Sequence, residues 1–126
     1  MAIRPELKLR LPNSPGSLAE VTRVLAAEHV NILALMLDRG GELRLVVDNH
    51  VRAIGALQEQ HHVVTQGSVI AVDLAPTHGR LAPILGLVQD AGVNVEYSYS
   101  GCDSDGSALV ILGVDDALRA ASRTGL

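Results

Sequence analysis

Aromatic side chains are almost absent from this sequence: there is no Trp and no Phe, and Tyr occurs twice in 126 residues. The bases of a single-stranded nucleic acid would find no stacking platform. Lys and Arg number ten against fourteen Asp and Glu, and they are scattered singly. With no basic stripe to neutralise phosphates, nucleic acid is excluded as a partner. No apolar run reaches the ~18 residues of a membrane span. The opening MAIRPELK also lacks the apolar stretch of a signal peptide. These absences predict no membrane partner and a cytoplasmic location. The single cysteine, Cys102, cannot form an internal disulfide, in keeping with a reducing compartment.

Catalytic and metal-binding constellations are missing too. His61 and His62 are adjacent, and on a strand they would point to opposite faces, a poor spacing for one metal ion. Asp103-Ser104-Asp105-Gly106 has the opening letters of a calcium loop without its later acidic ligands, so it reads as a hairpin turn. Cys102 has no His-Asp pair in evident reach. Tyr97 and Tyr99 share one strand face and read as core or interface packing. The expectation is a protein that binds rather than catalyses, with no cofactor and no metal.

What the chain does have is a repeat. A shift of 63 residues lays LPNSPGSLAEVTRVLAAEHVNI, from Leu11, on LAPTHGRLAPILGLVQDAGVNV, from Leu74. Leu11, Gly16, Leu18, Ala19, Val30 and Asn31 recur as Leu74, Gly79, Leu81, Ala82, Val93 and Asn94. The alternation of Leu7, Leu9 and Leu11, and of Ile70, Val72 and Leu74, predicts a half-buried strand opening each copy. A helix follows, with Ser14 as N-cap and Pro15 in the first turn, and with Thr77 as the second cap. Leu18, Val21 and Leu25, and Leu81, Ile84, Leu85 and Val88, mark its buried face, and Gly92 its left-handed stop.

Each copy continues with strands at Ile32–Leu37 and Leu43–Val47, or Val95–Ser100 and Ala108–Leu112. They join through turns at Gly40-Gly41 or Asp105-Gly106. A second helix starts after Asp48-Asn49 or Asp115-Asp116, and His62–Val64 supplies a fourth strand to copy one. The fold class predicted is α+β: two ferredoxin-like βαββαβ modules in tandem, residues 1–66 and 67–126, with antiparallel sheets and helices on one face. Copy two has only Thr124-Gly125-Leu126 left for its last strand, which leaves a sheet edge open. The strand Ile32–Leu37 is apolar at every position, so both faces need cover. From that we expect a homodimer.

A βαββαβ unit with Asn13-Ser14-Pro15-Gly16-Ser17-Leu18 after its first strand and Val30-Asn31-Ile32 after its first helix resembles the ACT domain, an amino-acid-sensing regulatory module. The resemblance spans nearly the whole chain, twice. It implies an amino-acid effector held by the loop between first strand and first helix and by the start of the second strand, at an interface between modules. Asn13, Ser14, Pro15 and Gly16, with Asn31, carry over as contacts. In copy two His78, Gly79 and Asn94 stand at the matching places, with Pro76 where Asn13 would be. Either His78 replaces the lost contact or this half is a wall of a site belonging to copy one.

Elementary chemistry points the same way: a helix N-terminus offers free N–H groups to a carboxylate, and a glycine there admits close approach. Gly16 and Gly79 also suit close packing of helix on strand, and Asn31 and Asn94 suit a turn, for backbone reasons alone. The function expected is small-molecule sensing and regulation. The alternative is a non-catalytic subunit that docks a metabolic enzyme and keeps only a vestigial pocket.

Overall fold

The computed structural model describes residues 2–75, 79–102 and 106–124. Its elements are β1 (Ala2–Arg10), α1 (Ser17–Ala27), β2 (Ile32–Leu37), β3 (Glu42–Val47), α2 (His50–Glu59), β4 (Thr65–Leu74), α3 (Leu81–Asp90), β5 (Val95–Cys102), β6 (Ala108–Val114) and α4 (Ala117–Thr124). The class is α+β, with β1, β2 and β3 paired antiparallel, and β4, β5 and β6 likewise. Two compact units result: Pro5–Gly67, and Ser68–Leu126 joined by Met1–Arg4. Among the described residues no helix is long and apolar enough to cross a membrane.

In the unit Pro5–Gly67 the strands lie in the order β2-β3-β1. Alternation sends Leu7 and Leu9 of β1, and Leu43, Leu45 and Val47 of β3, to one face. There they pack with Val21 and Leu25 of α1 and with Ala53 and Leu57 of α2. Each buried leucine contributes about 1.5–3 kcal/mol by leaving water. The other face carries Arg44, 3.2 Å from buried Glu6 and 2.6 Å from Glu42. Ala34 and Val46, paired on that face, are buried within this one chain. Met36, opposite Arg44 on the same face, is half-buried.

The unit of Ser68–Leu126 orders its strands β4-β6-β5 and builds its core from Ile70, Val72 and Leu112 with Val88 of α3 and Ala120 of α4. Both β2 and β5 shift register after their first residue, between Ile32 and Ala34 and between Val95 and Tyr97. The shift in β5 puts Tyr97 opposite Gly113, where a Cβ would overlap its ring, and Tyr97 stacks on Tyr99 with centroids 6.3 Å apart.

Three helices end alike. His29, His61 and Gly92 adopt the left-handed conformation, and the residue after each bonds back five positions, Val30 to Leu25, His62 to Leu57 and Val93 to Val88. Each is a Schellman stop, which satisfies carbonyls the helix leaves open.

Several expectations fail on local geometry. Ser14 does not cap α1 and Pro15 is not in its first turn: Ser17 N–H reaches Ser14 O at 3.4 Å, closing a turn with Pro15 and Gly16 at its centre. Gly16, at φ +87°, is the residue that precedes the helix; that value suits the third position of a type II turn and not a helical one. His62–Val64 is not a strand, because the stop at His61 turns the chain out and Val63 is 83% exposed; β4 begins at Thr65. His61 and His62 accordingly sit on a helix end. Leu85, expected on the buried face of its helix, is 38% exposed. Thr77, His78 and Asp105 lie outside the described residues.

Candidate functional site

The loop leaving β1 meets the β2–β3 hairpin around a pocket of about 230 Å3. Asn13, Ser14 and Gly16 line it together with the first turn of α1, and Leu37, Asp38, Arg39 and Gly41 line it from the hairpin. Four bonds fix this second wall. Leu11 N–H donates to Gly41 O and Arg10 Nη1 to Gly40 O, each at 2.7 Å. Asp38 Oδ1 accepts from Glu42 N–H at 3.0 Å, and Gly41 N–H donates to Asp38 O at 3.1 Å. Gly41 is obligatory: its φ is +89°, and a Cβ would lie 2.5 Å from Leu11 O. The glycine pair was read as a turn; its docking on the β1–α1 loop was not visible in the sequence.

Helix starts differ in a way that matters here. Asn49 caps α2 by accepting from Arg52 N–H at 3.1 Å, and Asp116 Oδ1 accepts from Arg119 N–H at 2.8 Å at the start of α4. No side chain caps α1 or α3; at α1 Ser14 Oγ lies instead 3.0 Å from Ser17 Oγ. The first turn of α1, with the partial positive charge of the helix end and no side-chain cap, therefore lines the pocket through Ser17, Leu18 and Ala19. Asp38 and Arg39 bring one charge of each sign to the opposite wall, and Leu18 and Leu37 supply apolar surface. A small molecule with a carboxylate, an ammonium and a short apolar group matches that set.

Not every residue of the expected site comes together. Asn13, Ser14 and Gly16 do; Pro15 and Asn31 are not among the lining residues. Asn31 N–H donates to Asp48 Oδ1 at 2.9 Å and its carbonyl accepts from Asp48 N–H at 3.1 Å, tying the start of β2 to the end of β3. Asn94 makes the same pair of bonds with Asp115, at 3.1 and 3.2 Å. Asn94 also lines a larger cavity, of about 530 Å3, under α3. Gly79 keeps the left-handed form of Gly16, at φ +75°, and its neighbour His78 lies outside the described residues. Among the described residues no group of three His, Cys, Asp or Glu could hold a metal ion.

No protein-family model matches this sequence, and no curated protein does. Solved structures match well. Protein BT0572 from Bacteroides thetaiotaomicron is 30% identical, with a TM-score of 0.85 over 98% of this chain and 87% of that one. The regulatory subunit of aspartate kinase from Thermus thermophilus, in its ligand-free form, is 20% identical, with a TM-score of 0.64 over 98% and 92%. E. coli aspartokinase III in complex with lysine and aspartate is 20% identical, with a TM-score of 0.57 over 98% of this chain and 31% of that one. This chain belongs to the family of BT0572. It shares its fold, an ACT-like topology, with the regulatory subunit of aspartate kinase.

Proposed function

We propose that this member of the BT0572 family is a tandem ACT regulatory protein that senses a small amino acid, held in the pocket between the β1–α1 loop and the β2–β3 hairpin. One observation carries the reading: the uncapped start of α1 faces Asp38 and Arg39 across a pocket of about 230 Å3. The helix start and Arg39 take the α-carboxylate, Asp38 and the Asn13 amide take the ammonium, and Leu18 and Leu37 receive the side chain. Gly16 lets the ligand approach the backbone, and Pro15 stiffens the turn. Asn31 acts by holding β2 in place. In the other unit Gly79, His78 and Asn94 are the counterparts, and the loss of Asn13's equivalent to Pro76 makes that loop the weaker binder.

The fold likeness to a regulatory subunit of aspartate kinase, over 92% of that subunit's length, favours a partner role beside sensing. In this reading the chain docks a metabolic enzyme and ligand binding shifts which packing is favoured, by no more than the ligand's affinity difference between states.

Thermal unfolding against a panel of the common amino acids tests the proposal. A ligand at one hundred times its dissociation constant adds about 2.7 kcal/mol, a melting shift of roughly 10 °C in a chain of this size. The expected result is a shift with one or two amino acids that Asn13→Ala and Asp38→Ala abolish. No shift with any of them overturns the sensor reading and leaves the docking subunit.

A further inference from the structure

The cavity under α3 can be compared wall by wall with the same place in the other unit, because the chain repeats. Val88 stands where the first copy has Leu25, and Ser98 where it has Leu35. Strand register sets the third pair: Leu37 faces Leu43, Ser100 faces Val110, so Val110 stands for Leu43. Leu25 and Leu43 are fully buried, and Leu35 packs on the same core. Three leucines have given way to smaller side chains around one cavity of about 530 Å3.

A fourth change runs the other way. Leu85 replaces Thr22, and it lines the cavity while remaining 38% exposed. Simple loss of packing costs stability in proportion to the void. It gives no reason to add an exposed leucine at its rim. Apolar growth at Leu85 and shrinkage at Val88, Ser98 and Val110 together describe a receptacle.

We propose that this cavity between α3 and β5 is a second binding site, for an uncharged small molecule with an apolar body and one hydrogen-bonding end. Its volume lies within the ~300–1,000 Å3 of small-molecule pockets. Buried Val88 and Leu112 form the floor, and the exposed polar groups are Gln89, Asn94 and Ser98. They offer amide and hydroxyl donors and acceptors. Among the described residues no charged side chain lines the cavity. A carboxylate or ammonium would leave water there for neutral groups alone, with no opposite charge to offset its desolvation, which favours an uncharged ligand.

Indole is a suitable probe, since the chain has no Trp and indole excited to the red of tyrosine absorption, which avoids Tyr97 and Tyr99, reports only the ligand. Wild-type protein should bind it saturably at millimolar concentration or below, and hexanoate should not compete. Ser98→Leu and Val110→Leu, which restore the first copy's residues, should each weaken binding about tenfold or more, equivalent to about 1.4 kcal/mol or more. Both should melt no lower than wild type, because they fill space; two variants guard against one misfolding. Asn13→Ala should bind indole unchanged, which separates this site from the amino-acid pocket. Absence of saturable binding, equal competition by hexanoate, or unchanged binding in both folded variants would each overturn the proposal.

Discussion

At Gly41 the candidate site depends on the absence of a side chain. Ala there would meet the Leu11 carbonyl and would also have to adopt φ +89°. Strained left-handed backbone alone costs about 1–3 kcal/mol, and the contact adds to it. Gly41→Ala should therefore lower unfolding stability by at least about 2 kcal/mol in a urea titration, whereas Gly106→Ala, at φ +85° with open space around it, should lose only the backbone part, about 1 kcal/mol. Equal losses at the two glycines would show that the hairpin does not rest on Leu11. His29 presents the opposite case. It occupies, at φ +57°, the helix-stop position that Gly92 occupies at φ +71° in the repeat. A non-glycine residue pays about 1–2 kcal/mol for that conformation, of which the entropy of a new glycine takes back about half. His29→Gly should raise the urea midpoint by an amount equivalent to about 0.5–1 kcal/mol; a fall would mean the imidazole makes contacts worth more than the strain.

Element by element, the repeat made the fold readable, since two weak patterns that agree are stronger than either. The strand Ile32–Leu37 follows from a short apolar run before a glycine turn, the strand expected at Ala108–Leu112 extends to Val114, and the stop at Gly92 follows from a glycine after an apolar stripe. What stayed hidden depended on residues whose type does not announce their backbone. A histidine does not signal a left-handed stop, so the sequence suggests a strand at His62–Val64 where β4 begins only at Thr65. Ser-Pro serves both a helix start and a type II turn, and only the φ of Gly16 separates them. Of the pocket's lining, Asn13, Ser14 and Gly16 stand in the motif that the sequence singles out. Asp38 and Arg39 do not, because nothing local says which loop a hairpin tip will meet. Of the pairs Asp48-Asn49 and Asp115-Asp116 that precede helices, only Asn49 and Asp116 cap; Asp48 and Asp115 hold strand starts to strand ends. Asp48→Ala and Asp115→Ala should each cost about 1 kcal/mol, the net worth of an exposed hydrogen-bonded pair. Asn31→Ala should cost less, because its backbone makes the bonds. A larger loss for Asn31→Ala than for Asp48→Ala in chemical denaturation would reverse that assignment.

For the molecule as a whole, the argument for the expected homodimer is strongest at a sheet edge. Ala34 and Val46 are already covered, but β2 ends its strand order, Ile32, Leu33, Leu35 and Met36 are half-buried, and Leu37 is 39% exposed. Long apolar edges without a charge or proline to blunt them invite strand pairing with another chain. A six-residue ladder is short of the roughly 1,200–2,000 Å2 that stable dimers bury, so neighbouring apolar surface must join it. Leu37 also lines the pocket of Asn13 and Asp38. A second chain seated on this edge would therefore touch the candidate site, and the two equilibria would be linked: an effector bound there that favours the paired state must tighten the dimer by the factor by which pairing tightens the effector. Light scattering at micromolar concentration should give twice the chain mass, Leu37→Lys should give one chain mass, and the effector found in the melting screen should move the dimer dissociation constant. A wild-type monomer across that range would remove the dimer and the linkage together. A dimer indifferent to both Leu37→Lys and effector would place the contact on another surface.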